Sequence, residues 1–206
     1  MTQYAFYFNG NRCTGCKACQ LACADYNDLS SDYWYRRVYE FGGGTWTQDA
    51  QGAWTTDAFT YYVSLGCQHC TNPACTKVCP TGAMHKDADT GLVSVDTTRC
   101  VGCGYCHMAC PYNVPRVNRE AGHSVKCDGC KDRVAEGKNP ICVDACPLRA
   151  LNFGTVEEMS ALGEQASIAP LPTKTLTEPN LYITNPANAQ PAEGFSGQIE
   201  NVSEVY

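Results

Sequence analysis

Between roughly residues 30 and 65, apolar positions come as short aromatic and β-branched runs. These are YWYRRVYEF (33–41), TWTQDAQGAWTT (45–56) and DAFTYYVSL (57–65), parted by glycine and aspartate turns. That pattern predicts short antiparallel strands. Gly42-Gly43-Gly44 reads as a hairpin turn, because no G-K-[ST] follows to make a phosphate loop. Arg36-Arg37 lies inside the first run and reads as strand surface, not as an export signal. After Cys146 the texture changes. LRALNFGTVEEMSALG predicts a short helix near Val156–Leu162, and residues 165–206 are rich in Pro, Asn, Thr and Ser without a period. So little apolar material is expected to lie extended along a partner, or to stay disordered.

Cysteine alters this picture. The 206 residues hold sixteen cysteines, a density that calls for a disulfide or metal framework. They form four quartets: Cys13, Cys16, Cys19, Cys23; Cys67, Cys70, Cys75, Cys79; Cys100, Cys103, Cys106, Cys110; and Cys127, Cys130, Cys142, Cys146. The third repeats the spacing of the first at a displacement of 87 positions, an internal repeat of a chemical unit. C-x2-C-x2-C-x3-C is the ferredoxin pattern: three thiolates surround one iron–sulfur cubane, and the fourth is turned toward a neighbouring one. Proline follows the last cysteine in three quartets (Pro80, Pro111, Pro147), while Ala24 stands there in the first. Gly15, Gly102 and Gly129 lie inside the loops, where their N–H groups can approach sulfur. Structural zinc uses paired C-x2-C units instead. Disulfides need an oxidising compartment, and Met1–Gly10 carries no basic, apolar leader. No cysteine is spare for catalysis, and no side-chain constellation points to bond-making chemistry. His69, His85, His107 and His123 are expected on the surface or packed beside the ligands.

Charge adds a constraint. The formal net charge is −6, which argues against nucleic-acid binding. Each oxidised [4Fe–4S] core with its four thiolates adds roughly −2, about −8 for four. Burying that charge requires donors and cations nearby. Arg12, Lys17, Lys77, Arg99, Lys126 and Lys131 lie within two residues of a cysteine, and Arg149 three beyond Cys146. They are candidates to tune potentials or simply to solvate the surface. No run reaches the ~18 apolar residues of a membrane span, so membrane association is expected only through partner subunits.

The quartet order, CTKVCPTGAMH (75–85), CHMACPY (106–112), KCDGC (126–130) and CPLRA (146–150) resemble the four-cluster iron–sulfur subunits of molybdopterin oxidoreductases. The likeness is strongest to the subunits of the anaerobic dimethyl sulfoxide reductase type and covers nearly the whole chain. It implies an α+β fold of two ferredoxin-like, two-cluster units: residues 1–29 with 120–155, and residues 66–119. A β insert (30–65) and an extended C-terminal tail (156–206) would complete them. It also implies four [4Fe–4S] ligand sets: Cys13, Cys16, Cys19, Cys146; Cys67, Cys70, Cys75, Cys110; Cys79, Cys100, Cys103, Cys106; and Cys23, Cys127, Cys130, Cys142. Spacing alone leaves nested and sequential pairing of the quartets open. Some relatives lack the third cysteine of quartet three and hold [3Fe–4S] there; Cys106 predicts [4Fe–4S] here. Formate dehydrogenase relatives end in a membrane helix that this chain lacks. The implied role is non-catalytic electron transfer between a molybdopterin catalytic subunit and a membrane anchor that oxidises quinol. The same wire could serve a catechol dehydroxylase, a tetrathionate or polysulfide reductase, or a dehydrogenase. It could also be a free polyferredoxin shuttle.

Overall fold

The computed structural model describes residues 2–206. β1 (Tyr4–Asn9) leads into a cysteine loop and α1 (Ala18–Tyr26). β2 (Arg37–Gly43), β3 (Trp46–Gln48), β4 (Trp54–Thr56) and β5 (Phe59–Leu65) fill the aromatic stretch. α2 (Ala74–Lys77), β6 (Met84–Lys86), β7 (Val93–Val95), α3 (Tyr105–Ala109), β8 (Arg116–Asn118) and β9 (His123–Val125) carry the middle quartets. α4 (Lys131–Ala135), α5 (Ile141–Asp144), β10 (Leu151–Thr155) and α6 (Val156–Ser160) follow. β11 (Glu164–Gln165), β12 (Leu181–Thr184), β13 (Gln198–Ile199) and α7 (Val202–Val205) close the chain.

Four of the helices carry the quartets: α1 holds Cys19 and Cys23, α2 Cys75, α3 Cys106 and α5 Cys142. The 87-residue repeat is also a repeat of backbone. Gly15 and Gly102 have φ of 68° and 65°, and Lys17 and Gly104 enter α1 and α3 at φ of 61° and 79°. At Gly15 a Cβ would also strike the Tyr62 ring at 2.4 Å, so backbone and space both require glycine. Pro73 and Pro140 start α2 and α5, each two residues before a cysteine, where a fixed φ and a missing donor suit a first helical turn. α1 packs on α5, and α2 on α3. Quartets one and four therefore meet, as do two and three.

Two sheets frame them. One has the order β10-β1-β12-β11, with β1 antiparallel to β10 (Phe6 opposite Phe153) and parallel to β12 (Phe6 opposite Leu181). The other has the order β13-β2-β5. β3–β4, β6–β7 and β8–β9 are separate hairpins. The main core joins Phe6, Phe8, Phe41, Val63, Leu151 and Ile183 directly to Cys19, Cys67, Cys127, Cys142 and Cys146, so apolar packing and the thiols are one body.

Residues 165–206 depart from the extended segment expected of them. They fold back on their own chain, burying Ile168, Ala169, Leu171, Leu181, Ile183 and Val205. Backbone edges already present supply what composition lacked. β12 completes the β1 edge. The Asn201 side chain clips β2 through Glu40 N (2.9 Å) and Val38 O (2.9 Å), and Asn180 Nδ2 donates to His69 O at 2.8 Å. The predicted short helix is α6, whose Thr155 and Glu158 form a reciprocal capping box.

Candidate iron–sulfur sites

All sixteen cysteines are free thiols, and they gather in four groups. Site I is Cys13 with Cys16, Cys19 and Cys146: burial pushes the Cys13 thiol up to about 11, and the three neighbouring thiolates add to it. Site II is Cys23 with Cys127, Cys130 and Cys142, where burial and then those neighbours raise the Cys23 thiol. Site III is Cys67, Cys70, Cys75 and Cys110. Burial takes both Cys70 and Cys75 up to about 12, reinforced by Cys67 and Cys110. Site IV is Cys79, Cys100, Cys103 and Cys106, which line one cavity with Met84, Val95 and Val101. Each group takes three thiols from one stretch and one from another.

The groups follow one another. Cys142 of site II faces Cys19 of site I. Cys127 of site II faces Cys67 of site III. Cys75 of site III packs in one apolar cluster with Cys106 of site IV. Cys16 and Cys103 are exposed, and they belong to the two outer groups; sites II and III expose none.

The surroundings are those of anionic sulfur. Backbone N–H groups of Met84, Ser124, Gly129 and Ala150 donate to Cys79, Cys100, Cys127 and Cys146 Sγ at 3.2–3.4 Å. Lys126, 5% exposed, is the one buried member of the seven candidate cations. Its Nζ donates to Cys127 O at 2.6 Å, to Val93 O, and to Cys67 Sγ at 3.6 Å. Burial alone would strip its proton, but the Cys67, Cys127 and Cys75 thiolates hold it on. His69 is the one buried histidine. Its Nδ1 accepts from Val93 N at 2.9 Å, which leaves the proton on Nε2. That atom is buried without a partner and lies beside Cys127, a donor aimed where a sulfur-rich group would accept.

Arg36 and Arg37 correct the surface reading made from sequence: they are 3% and 2% exposed. Arg37 donates to Val205 O (3.1 Å), Tyr112 O (3.1 Å) and Asn113 O (2.9 Å). Arg36 faces the thiols of sites I and II. A run of aromatics around two arginines gives no local hint of burial, because the groups that hold them come from distant segments.

Among the described residues, no three His, Cys, Asp or Glu side chains stand close enough to hold a single metal ion. The soft, all-thiol donor set of site IV, spread around its cavity, suits a multi-atom cluster better than one zinc ion.

Residues 58–156 match the 4Fe-4S dicluster domain family. Over the full length of both proteins, the sequence is 54% identical to the B subunit of anaerobic dimethyl sulfoxide reductase from Haemophilus influenzae. The protein belongs to the family of anaerobic dimethyl sulfoxide reductase B subunits. The Escherichia coli (strain K12) B subunit is 54% identical over 205 residues, 99% of each protein. A formate dehydrogenase iron-sulfur subunit of H. influenzae is 39% identical over 181 residues, 82% of this chain and 57% of that one. As a B-subunit relative with a dicluster domain and sixteen cysteines, it is an α+β iron–sulfur protein that transfers electrons through [4Fe–4S] clusters, with thiols enough for four. No helix among the described residues is long and apolar enough to cross a membrane.

Proposed function

We propose that the chain is a non-catalytic subunit that relays electrons between a quinol-oxidising membrane anchor and a molybdopterin catalytic subunit. The enzyme would be of the dimethyl sulfoxide reductase type. Sites I to IV are the four ligand sets, each for one [4Fe–4S] cluster. Bound clusters supply one-electron storage and exchange; the chain supplies position, burial and potential. Four thiol groups in unbroken succession, with an exposed thiol only at each end, carry this reading. Exposed Val101, Tyr105 and Met108 beside site IV offer an apolar face for one partner.

The C-terminal segment folds on its own chain and so does not separate a fixed subunit from a free shuttle. Against the shuttle stands the end-to-end identity to proteins that are subunits of a reductase. Purification from native membranes decides: co-migration with larger subunits and about sixteen iron atoms per chain are expected. A free, fully loaded 22.4 kDa species would favour the shuttle, and about twelve iron atoms or fewer would refute four [4Fe–4S] sites. Cys106→Ser is expected to change the spectrum of one cluster, toward a [3Fe–4S] signal, and leave three unchanged.

A further inference from the structure

Arg36 stands immediately before β2 and is almost wholly buried. Its guanidinium lies over the Phe6 ring, with Cζ 5.0 Å from the centroid. Its Nη1 donates to Ser64 O at 3.3 Å and to Ser64 Oγ at 3.2 Å. That second bond leaves the Ser64 proton free for Cys19 Sγ, 3.4 Å away in site I. Gly66 makes room: a Cβ there would sit 3.2 Å from Nη2.

No carboxylate pairs with this cation. The ion pairs among the described residues are Lys17–Glu204, Arg133–Asp144 and Lys138–Glu136. A buried guanidinium needs an anion. The anionic groups acting on Arg36 are Cys142, Cys19, Cys127 and Cys23, which come from sites I and II. Burial works to discharge the guanidinium, and these sulfurs more than offset it. In return the Arg36 charge pulls down the Cys142 thiol that burial raises.

We infer that Arg36 is a fixed positive charge shared by sites I and II, positioned to raise the reduction potentials of both together while leaving the step between them little changed. This rests on the reading that these thiol sets hold clusters. One electron lost at one site is gained at the other. Arg36 releases no proton, because a guanidinium stays charged throughout.

The test is an anaerobic redox titration followed by electron paramagnetic resonance. It uses the full chain in its complex, with signals assigned by a single Cys→Ser change in each set. Iron content is measured first; a wild-type chain with fewer than four clusters fails the underlying reading and not this inference. In Arg36→Gln the reduction equilibria of sites I and II are expected to move about tenfold or more toward the oxidised form, about 59 mV per tenfold for one electron. Sites III and IV should stay within about threefold, and Arg36→Lys, which keeps the charge, should move sites I and II less than Gln does. A loaded Arg36→Gln protein with unmoved sites I and II, or with all four shifted equally, overturns the inference. Should Arg36→Gln fail to load its clusters, Arg36→Met, uncharged and similar in length, decides: sites I and II should fall together with site IV unmoved, and an unmoved site I or site II overturns the inference.

Discussion

Lys126 does at the next junction what a surface lysine never could. Its ammonium is enclosed between Cys67 of site III and Cys127 of site II, held by two carbonyls and no carboxylate. Lys126→Met removes the charge and leaves the Val93 and Cys127 carbonyls without a donor, at a cost of about 1–3 kcal/mol for each buried group left unsatisfied. The same change is expected to lower the potentials of sites II and III while site I holds. Redox titration of the loaded variant reads this directly, and an unmoved site III would refute a bridging role. His69 acts at one site only. With Nδ1 committed to Val93 N, its Nε2–H has Cys127 to face, so His69→Phe should lower site II with little effect on site III. Sequence position flagged Lys126 as one of seven equivalent cations beside cysteines. Its burial comes from β7 and from Cys67, 59 residues away, and no spacing reveals that.

The elements divide by how locally they are specified. Cysteine loops, the strands of residues 37–65 and α6 are legible because their signals are short-range: a spacing, an aromatic run between turns, a capping box. Residues 165–206 are not, because β12 and β13 are strands of four and two residues that exist only as additions to β1 and β2. A strand so short has no period to read, and its stability resides in the edge it joins. Leu181, 3% exposed and opposite Phe6, tests this. Leu181→Ala should cost about 2–5 kcal/mol of stability, as for other buried leucines, in anaerobic denaturant unfolding of the loaded protein. Deleting residues 178–206 should prevent soluble expression, by uncovering both sheet edges and the Arg37 donors that Val205 O accepts. A truncated chain that still folds and binds four clusters would show that the segment serves a partner instead.

For the whole molecule, charge makes metal and fold interdependent. Arg36 is a buried cation balanced by sulfur alone, and Lys126 one balanced chiefly by sulfur, with Asp128 adding to it. Iron removal lets the crowded thiols take up protons, since burial holds Cys13, Cys70, Cys75 and Cys130 at about 11 to 12. The two cations then lose most of their counter-charge, keeping Cys127, which His69 draws down, and for Lys126 also Asp128; a buried charge stripped of its partner costs about 3–5 kcal/mol. Oxidative cluster removal is therefore expected to abolish visible absorbance and ordered circular dichroism together. In Arg36→Met/Lys126→Met, the iron-free form should keep more structure than the iron-free parent. At the outer face, Val101→Glu and Met108→Glu should weaken assembly with a partner subunit while iron content stays unchanged. Native electrophoresis with iron staining separates these outcomes.

β1 leaves the ribosome long before its two neighbours, β10 and β12, which both come from the last third of the sequence. Site I likewise waits for Cys146 to reach Cys13. Nascent protein therefore spends most of its synthesis with thiols that no adjoining strand encloses, open to air and to stray metal. On the proposed ligand set, loading of site I follows these late segments rather than the emergence of its own cysteine loop.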